Sequence, residues 1–298
     1  MLVYKAGFVA LLGRPNVGKS TLLNALLGRK IAITTPKPQT TRNRIMGVIH
    51  RPDAQLVLVD TPGVHKALHK LGERMNKTSR SASRDVDLIW HLVDVSRPPS
   101  EEDQWVAGLC RSAAIPAWLL ANKCDLVQNL AGRVEPYLAL APYARHFVVS
   151  AFYEQGLDPL RDAVFDVLPE GSPYFPEEMV TDQSEDFYVS EIIREKILDA
   201  TRDEVPYAVA VMVDERVARS SRLTFIRATA YVERDTQKAI VIGSGGRMLK
   251  AIGQAARAEL EAYYGHQVFL DLWVKVRPRW RNEDEWLRRL GFREPGRS

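Results

Sequence analysis

The feature that most constrains the fold of this chain is the stretch GRPNVGKS at residues 13–20. It matches the pattern GxxxxGK(S/T) and lies between the apolar run FVALLG and the helix-period segment KSTLLNALLG. Glycines allow successive backbone N–H groups to converge on a phosphate, and the helix that follows directs its positive dipole end at the same anion. Because this motif requires a strand before it and a helix after it, the stretch predicts a phosphate-binding turn in an α/β sheet.

The pattern from Gly7 to about Leu168 extends this turn into a domain. Short apolar runs alternate with helical segments such as DPLRDAVFDVL, and the candidate strands are FVALLG, QLVLVDT, DLIWHLVDV, PAWLLANK and HFVVSA. Continuous apolar runs are typical of parallel strands that are covered on both faces. Strands that alternate with helices form βαβ units, so we expect an α/β domain with a mostly parallel, doubly wound sheet.

The stretch LPEGSPYFPEE, rich in proline, interrupts this alternation and is typical of a linker. Beyond it we expect a helix, two alternating strands, a glycine loop, a helix, a strand and a tail helix, which together indicate an α+β domain. The sequence thus predicts a first domain at residues 1–170, a linker at 171–181 and a second domain at 182–298.

Composition narrows the class of protein. No apolar run approaches the ~20 residues of a membrane span, and AGFVALLG reads as a buried strand rather than a signal peptide. The two cysteines form no CxxC or Cys/His cluster, which argues against disulfides and zinc and suits a reducing cytosol. Residues 216–281 carry 13 Lys and Arg against 5 Asp and Glu, a net charge of +8. That block indicates either a polyanion-binding surface or a solvated charged face.

The ends of the candidate strands carry residues suited to a nucleotide and a metal. In the first glycine loop, Lys19 offers a positive charge to the β- and γ-phosphates, and Ser20 offers a hydroxyl to Mg²⁺. DTPG follows the strand QLVLV. There Asp60 can hold Mg²⁺ through water, and the Gly63 amide can contact the γ-phosphate. Open α/β sheets bind ligands at this edge.

The next two strands carry residues suited to a base. NKCD, at residues 122–125, ends the strand PAWLLANK. Asp125 can accept two hydrogen bonds from guanine that adenine cannot supply, and Ser150 and Ala151 would add backbone contacts. The predicted nucleotide-binding residues are Gly13, Arg14, Pro15, Asn16, Val17, Gly18, Lys19, Ser20, Thr21, Asp60, Thr61, Pro62, Gly63, Asn122, Lys123, Asp125, Ser150 and Ala151.

These elements, in this order, resemble the translation-factor-like GTPases. The threonine pair in PQTTRNR matches their mobile switch segment, whose threonine reaches Mg²⁺ only when the γ-phosphate is present. We favour Thr41 over Thr40, and Thr41 then joins Ser20 and Asp60 as a predicted Mg²⁺ ligand. The resemblance implies catalytic roles for Lys19, Thr41 and Gly63.

Three nearby residues leave alternatives open. Val64 follows DTPG where many signalling GTPases carry a water-positioning glutamine, so we expect slow intrinsic hydrolysis, or help from another group or a partner. His65 is either a base or an incidental switch residue. Asn16 resembles the asparagine of potassium-stimulated relatives, or is a plain turn residue.

A second glycine loop, VIGSGGRMLKAI at residues 241–252, lacks the GK(S/T) end. It resembles the IGxxGxxIxxI pattern of type II KH domains, whose GxxG loop clamps about four single-stranded nucleotides; a structural turn is the alternative. The predicted RNA-binding residues are Ile242, Gly243, Ser244, Gly245, Gly246, Arg247 and Lys250. Trp273, Lys275 and Trp280 are further candidates, although strand alternation makes Trp273 equally consistent with the core.

Both domains together resemble the Era GTPases, through GRPNVGKSTLLNALLG, PQTTR, DTPG, NKCD, SEIIREKI, VIGSGG and LWVKV-x-x-x-W. The resemblance implies a switch that binds GTP or GDP with Mg²⁺ and possesses GTPase activity. It also implies binding to the 3′ end of small-subunit (16S) ribosomal RNA and help in assembling the small ribosomal subunit. A cytoplasmic monomer is expected, which in some family members associates peripherally with the inner face of the cell membrane.

Two rival functions share some of these features. A GTPase of tRNA modification would need an additional catalytic domain, and we find no sequence pattern for one. A membrane-recruitment switch would use the basic block against anionic lipid.

The guanine assignment generates a prediction about Asp125→Asn. An amide would place a donor opposite the guanine amine, whereas xanthine offers an oxygen there. We therefore expect weaker binding of GTP and a gain in binding of xanthosine triphosphate, measured by equilibrium titration. Unchanged GTP affinity would contradict the assignment.

Overall fold

The computed structural model describes residues 3–292, so the two outer ends of the predicted domain ranges lie outside the described residues. The first part contains a six-stranded sheet in the order β2-β3-β1-β4-β5-β6. Its strands are β1 (Lys5–Leu12), β2 (Ile45–Arg51), β3 (Ala54–Asp60), β4 (Leu88–Asp94), β5 (Ala117–Asn122) and β6 (Arg145–Val148). Its helices are α1 (Lys19–Leu27), α2 (Lys70–Ser81), α3 (Glu101–Ser112), α4 (Leu130–Leu138) and α5 (Leu157–Val167).

The sheet is parallel except for β2, which pairs antiparallel with β3, so the mostly parallel fold is confirmed. Strand β2 was absent from the predicted strands. It contains Gly47, where a Cβ atom would lie 2.7 Å from Leu27 and 2.8 Å from Leu23 of α1. Glycine therefore lets α1 press on the sheet, but it weakens the strand pattern in the sequence.

The stretch predicted as a linker is docked along the edge of this sheet. The backbone N–H of Val48 donates to the Val180 carbonyl over 2.9 Å, and Gly47 forms a bridge with Thr181. Farther back, the Gln55 carboxamide oxygen accepts from the N–H groups of Tyr174 and Phe175. The linker residues are thus hydrogen-bonded to β2 and β3.

The second part is an α+β domain with a three-stranded sheet in the order β7-β8-β9. Strands β7 and β8 are antiparallel, whereas β8 and β9 are parallel. The elements are α6 (Glu185–Ala200), α7 (Val205–Ala208), β7 (Ala210–Ser220), β8 (Leu223–Val232), α8 (Asp235–Ile242), α9 (Arg247–Tyr264), β9 (Gln267–Val276) and α10 (Asp284–Arg289). Among residues 3–292, no helix is both long and apolar enough to cross a membrane.

Two elements of this domain differ from the sequence analysis. Helix α8 precedes the glycine loop, whereas the sequence pattern predicts the loop directly after a strand. The pattern YAVAVMVDE predicts a strand from Tyr207, but β7 begins at Ala210 because the short helix α7 includes Tyr207 and Ala208. Pro206 lies in the first turn of α7, where its missing N–H costs nothing.

The two parts share apolar clusters. Ile33 of the first part belongs to the core built on α6 and the three-stranded sheet. Leu71 and Met75 of α2 pack with Trp280 and Leu287 near the C-terminus. Burial of these side chains from both parts stabilises one arrangement of the two sheets.

The candidate RNA-contacting residues near the C-terminus fall into two groups. Trp273 is 53% exposed and Lys275 is exposed as well. Trp280 is fully buried, and its indole N–H donates to the Ala208 carbonyl over 2.9 Å. The prediction that Trp280 contacts RNA is therefore wrong, because its ring fills the core beside α2.

The burial of Trp280 predicts a stability effect. Trp280→Ala should lower the free energy of unfolding by about 3–5 kcal/mol, because it leaves a cavity and an unpaired carbonyl. Trp273→Ala is the matched control, with an expected change of about 0.5 kcal/mol for an exposed position. Urea unfolding followed by circular dichroism measures both. Equal effects of the two substitutions would contradict this packing.

Candidate functional site

A cavity of about 860 Å³ lies at the carboxyl ends of the parallel strands. The predicted nucleotide-binding residues in its wall are Arg14, Pro15, Asn16, Gly18, Lys19, Ser20, Thr21, Gly63, Asn122, Lys123, Asp125, Ser150 and Ala151. The remaining predicted residues, Gly13, Val17, Asp60, Thr61 and Pro62, do not line the cavity. Val17 and Asp60 are fully buried, and the Thr61 hydroxyl donates to the Leu11 carbonyl. The structure therefore brings the three separated motifs to one cavity.

Two glycines allow the phosphate loop to contact the DTPG and NKCD motifs. A Cβ atom on Gly18, whose φ is 101°, would lie 2.3 Å from the Asn122 amide nitrogen. A Cβ on Gly63 would lie 2.5 Å from the backbone nitrogen of Pro15. Any larger residue at these positions would separate the phosphate loop from its neighbours.

Asn122 joins the phosphate loop to the base side of the cavity. Its side-chain N–H donates to the Val17 carbonyl over 2.7 Å, and its oxygen accepts from the Ala151 N–H over 2.9 Å. Asp125 is exposed in the cavity wall. The geometry thus gives Asn122 a bracing position and leaves the Asp125 carboxylate accessible to a base.

Acidic residues that the sequence analysis did not identify brace the phosphate loop from the side. The Arg14 guanidinium lies 3.3 Å from the Asp103 carboxylate of α3, and the Lys123 ammonium lies 2.8 Å from Asp94. Asp103 also completes the N-terminal cap of α3 with Ser100. The cap pattern was readable in the sequence, but no local signal pairs Asp103 with Arg14.

The Lys19 ammonium lies at the base of the loop. It is 6% exposed and donates to the carbonyls of Gly13 and Arg14 at 3.1 and 3.0 Å. Burial lowers the pKa of Lys19 to about 8, against the opposing effect of Asp60. A phosphate placed here would stabilise the charged form of this amine.

Three oxygen-bearing side chains meet next to Lys19. The Ser20 hydroxyl lies 2.6 Å from the Thr41 hydroxyl and donates to the Asp60 carboxylate over 2.6 Å. The other oxygen of Asp60 is buried without a hydrogen-bond partner among the described residues. Burial raises the pKa of Asp60, while Lys19 opposes that change.

These oxygens fit Mg²⁺, a hard cation that takes few protein ligands and completes its shell with water and phosphate. Residues 3–292 contain no group of three or more His, Cys, Asp or Glu side chains arranged to hold a metal ion.

The geometry separates the two switch threonines. The Thr40 hydroxyl donates to the Lys37 carbonyl over 2.7 Å and lies 2.8 Å from the Thr35 hydroxyl. It is therefore engaged within its own loop, whereas Thr41 lies beside Ser20. This geometry favours Thr41 over Thr40 as the candidate Mg²⁺ ligand.

Residues around the phosphate end have defined partners. Val64 is buried in an apolar cluster, and the His65 ring nitrogen Nδ1 lies 2.9 Å from the Gly63 carbonyl. The Asn16 amide donates to the Pro36 carbonyl over 2.6 Å, which ties the phosphate loop to the switch segment. His65 and Asn16 both line the cavity, so both remain candidates for the roles that the sequence left open.

The switch segment also contacts the second part of the molecule. The Arg42 guanidinium is buried and donates to the carbonyls of Pro206 and Val209 at 2.8 and 2.6 Å. Arg194 of α6 donates to the Thr40 carbonyl. Sequence reasoning missed both arginines, because their partners lie more than 150 residues away along the chain.

The second glycine loop forms a short 3₁₀ turn, Ser244–Gly246, between α8 and α9. A Cβ atom on Gly243 would lie 2.5 Å from the Met248 Cβ, whereas the Cβ positions of Gly245 and Gly246 face open space. Ser244, Gly245, Arg247 and Lys250 are exposed, but Ile242 is partly buried and packs against the domain core. The loop therefore presents its backbone and two cations outward.

A groove of about 430 Å³ begins at this loop. Its wall contains residues of α9 and β9 that the sequence analysis did not select: Leu249, Gly253, Gln254, Arg257, Phe269, Leu270 and Leu272. Only the pairing of α9 with β9 in space reveals them. An apolar floor with a glycine loop at one end suits a nucleic-acid strand whose bases are splayed out.

The fold and the two sites define a P-loop GTPase joined to a KH domain. Residues 8–123 match the family described as 50S ribosome-binding GTPase, and residues 204–281 match the KH domain family. The GTPase Era of Heliobacterium modesticaldum is 44% identical over 97% of this chain and 98% of its own length. The GTPase Era of Carboxydothermus hydrogenoformans is 45% identical over 98% and 99%, respectively. The chain belongs to the Era family of GTPases.

Solved structures agree with this assignment. The crystal structure of an Era protein with MgGDPNP and nucleotides 1506–1542 of 16S ribosomal RNA has a TM-score of 0.93 and 36% identity, covering 97% of this chain and 99% of that one. A variant Era of Aquifex aeolicus bound to GDP and aluminium fluoride has a TM-score of 0.92, with the same identity and coverage.

The contrast between the two threonines yields a prediction. Thr41→Ala should lower GTP turnover by about tenfold or more, because a hydroxyl beside the metal position is lost. Thr40→Ala is the matched control and should keep a parent-like rate, since its backbone carbonyl still meets Arg194. Phosphate release in saturating Mg²⁺ measures both rates. A larger loss from Thr40→Ala would reverse the assignment.

Proposed function

We propose that this protein is a GTP-hydrolysing switch whose nucleotide state controls a KH domain that binds the 3′ end of small-subunit ribosomal RNA and thereby assists small-subunit assembly. The observation that carries this proposal is the switch segment, which lines the nucleotide cavity and also contacts the KH domain. Thr41 lies with Ser20 and Asp60, while the adjacent Arg42 is held by the KH domain. The Era structure with MgGDPNP and 16S ribosomal RNA supports the same pairing of ligands.

At the nucleotide site, each motif has a distinct task. The N–H groups after Gly13 and the Lys19 ammonium would hold the phosphates, and Ser20, Thr41 and Asp60 would hold Mg²⁺. When bound, this ion would neutralise charge that develops on the phosphate oxygens during hydrolysis. The Gly63 N–H would contact the γ-phosphate, and Asp125 would select guanine.

The residue that positions the attacking water is not a glutamine. Val64 occupies that position and is buried, so the chain supplies no carboxamide there. Slow intrinsic hydrolysis follows from this, because orientation of the water accounts for a large part of catalysis in GTPases. A slow rate suits a switch that must persist in one state while RNA is bound.

Coupling between the sites would run through the switch segment. Bound GTP and Mg²⁺ would give the Thr41 hydroxyl a metal to contact and would keep the segment ordered, and loss of the γ-phosphate would remove that contact. The same segment donates side-chain hydrogen bonds from Lys37 and Arg42 to main-chain carbonyls around α7, at Leu198, Thr201, Pro206 and Val209. Disorder of the segment would therefore break these hydrogen bonds to the KH domain.

For the RNA site we propose the seven residues Ile242, Gly243, Ser244, Gly245, Gly246, Arg247 and Lys250, with Ile242 supporting the loop from inside the domain. The Gly246 and Arg247 amides open α9 and would meet a phosphate at its positive end. We also propose the domain limits 1–170, 171–181 and 182–298. The linker residues 171–181 lie along β2 and β3 and so form part of the surface of the first domain.

Peripheral association with the inner face of the cell membrane and a monomeric state are further expectations from the family. Co-sedimentation with anionic vesicles, beside a short RNA as competitor, distinguishes a lipid-binding role for the basic block from an RNA-binding one. Light scattering of the purified protein measures its oligomeric state.

The proposed RNA role predicts the effect of changing Ser244 and Gly245 together to Asp. Ser244 is exposed, a Cβ atom on Gly245 would meet nothing within 4 Å, and Asp tolerates the positive φ of 59° at Gly245. Two carboxylates against backbone phosphates should abolish RNA binding while GTP hydrolysis stays near the parent rate, because like charges at an interface cost several kcal/mol. Fluorescence anisotropy with labelled 16S 3′-end RNA and a phosphate-release assay on the same sample measure the two effects.

The chain offers a matched control for this variant. Gly171→Asp with Ser172→Asp changes the same residue types, also in an exposed segment, and adds the same charge. We expect parent-like RNA affinity from this control. Parent-like affinity of the Ser244 and Gly245 variant would instead show that the loop is a structural turn.

Potassium is an additional proposal, based on Asn16 at the edge of the cavity. If the Asn16 side chain helps hold a monovalent cation beside the phosphates, turnover should rise when Na⁺ is replaced by K⁺ at fixed ionic strength. Asn16→Ala should remove the difference between the salts. Equal parent rates in both salts would leave Asn16 only its contact with the switch segment.

A further inference from the structure

The sheet of the KH domain leaves part of one face open. Successive side chains of β9 alternate, so Val268 and Val274 face the helices while Phe269 and Trp273 point to the other side. The tail helix covers only part of that other side, where Trp286 packs on Tyr231 at 5.0 Å. Four side chains on the rest of it, Val217, Phe225, Phe269 and Trp273, form what we call the aromatic face.

Three members of the aromatic face are unusually exposed for apolar side chains: Val217 at 45%, Phe269 at 59% and Trp273 at 53%. Single exposed apolar residues are common, but neighbouring ones on one face indicate a binding surface. In the sheet, Phe225 pairs with both Val217 and Phe269, and Thr229 pairs with Trp273. Val217, Phe225 and Phe269 therefore form one row across this face, and Trp273 lies two rows farther along β9, beyond the charged row of Glu215, Arg227 and Asp271.

Cations are interleaved with these rings. Phe225 and Phe269 stack at 5.7 Å, and the guanidinium groups of Arg219 and Arg227 lie 4.5 and 5.3 Å from the Phe225 ring centre. Arg227 is paired with Asp271, but Arg219 is exposed at the end of β7. Rings beside arginines suit the flat bases and charged backbone of single-stranded nucleic acid.

The aromatic face is continuous with the groove at the glycine loop. Phe269 belongs to both surfaces, and Trp273 directly follows Leu272, which lines the groove. Strand β9 is the outermost strand of its sheet, so its free edge separates the two surfaces. An RNA strand that leaves the groove across this edge reaches the aromatic face within one or two nucleotides.

We propose that the aromatic face is a second contact for single-stranded RNA, with bases stacked on Phe269 and Trp273 and a phosphate beside Arg219. This inference rests on the proposed RNA-binding function and extends it beyond the glycine-loop groove. A dry apolar protein interface is less consistent with this face, because the ion pairs of Arg227 with Glu215 and Asp271 lie across it.

The test compares two RNA lengths in anisotropy titrations: one of about four nucleotides, which the groove alone accommodates, and one of about twelve nucleotides with the same core sequence. Trp273→Ala should leave affinity for the short RNA unchanged and weaken affinity for the long RNA by about tenfold, because stacking on one ring is lost. Trp273→Phe should retain most of the affinity. Trp105→Ala, at an exposed tryptophan on α3, is the matched control and should change neither value.

A second variant tests the same surface without removing a ring. Val217→Glu places a carboxylate on the aromatic face and should selectively weaken the long RNA. Parent-like affinity of Trp273→Ala and Val217→Glu for the long RNA would overturn the inference. So would parent-like RNA affinity combined with lost binding to small ribosomal subunits, which would indicate a protein partner.

Failure of the proposed function itself is recognised separately. The parent protein would then bind neither RNA, or the Ser244 and Gly245 aspartate variant would bind the short RNA normally. Either result would overturn the second contact together with the first. Selective loss of the long RNA in the Trp273 and Val217 variants supports both.

Discussion

The arrangement of the two domains depends on the burial of the Arg42 guanidinium. This group leaves water and donates to the carbonyls of Pro206, in the short helix α7, and of Val209, directly after it. The two terminal nitrogens of Arg42 donate to main-chain carbonyls of Pro206, Tyr207 and Val209, whereas its Nε is buried without a hydrogen-bond partner among the described residues. Moving the guanidinium away from these carbonyls would leave further donors unpaired, so the contact favours one geometry. Because Thr41 is its chain neighbour, the same constraint limits where the metal-binding hydroxyl can lie.

Other contacts around the switch segment also hold the two domains together. Lys30 lies between the carboxylates of Glu195 and Glu259, and the Thr34 N–H donates to Glu195. On the far side of the segment, Leu71 and Met75 of α2 pack on Trp280. Helix α2 adds polar contacts as well, because Lys70 and Arg74 pair with Asp284.

Glycine is needed for different physical reasons in the two glycine loops. In the first, glycine is required by close approach: a side chain on Gly18 would collide with Asn122 of the neighbouring loop. In the second, Gly243 is required by its contact with Met248, while Gly245 and Gly246 have free space but positive φ. The first loop is thereby locked into a cavity, and the second remains exposed, as an extended RNA strand requires.

The sequence by itself determined the chemistry of the nucleotide site and the order of its motifs, although it missed β2, α7 and α8. Phosphate loop, DTPG and NKCD are local patterns, and their placement after apolar strands predicted a shared edge, because parallel strands end on the same side. The glycine loop before a basic helix was equally local. What the sequence could not determine were relationships between distant residues: Asp103 with Arg14, Arg42 with α7, and the docking of residues 171–181 on β2. It also could not decide whether Trp273 or Trp280 is buried. Both are tryptophans in similar surroundings along the chain, and only the packing of α2 and the tail against the sheet covers one and exposes the other.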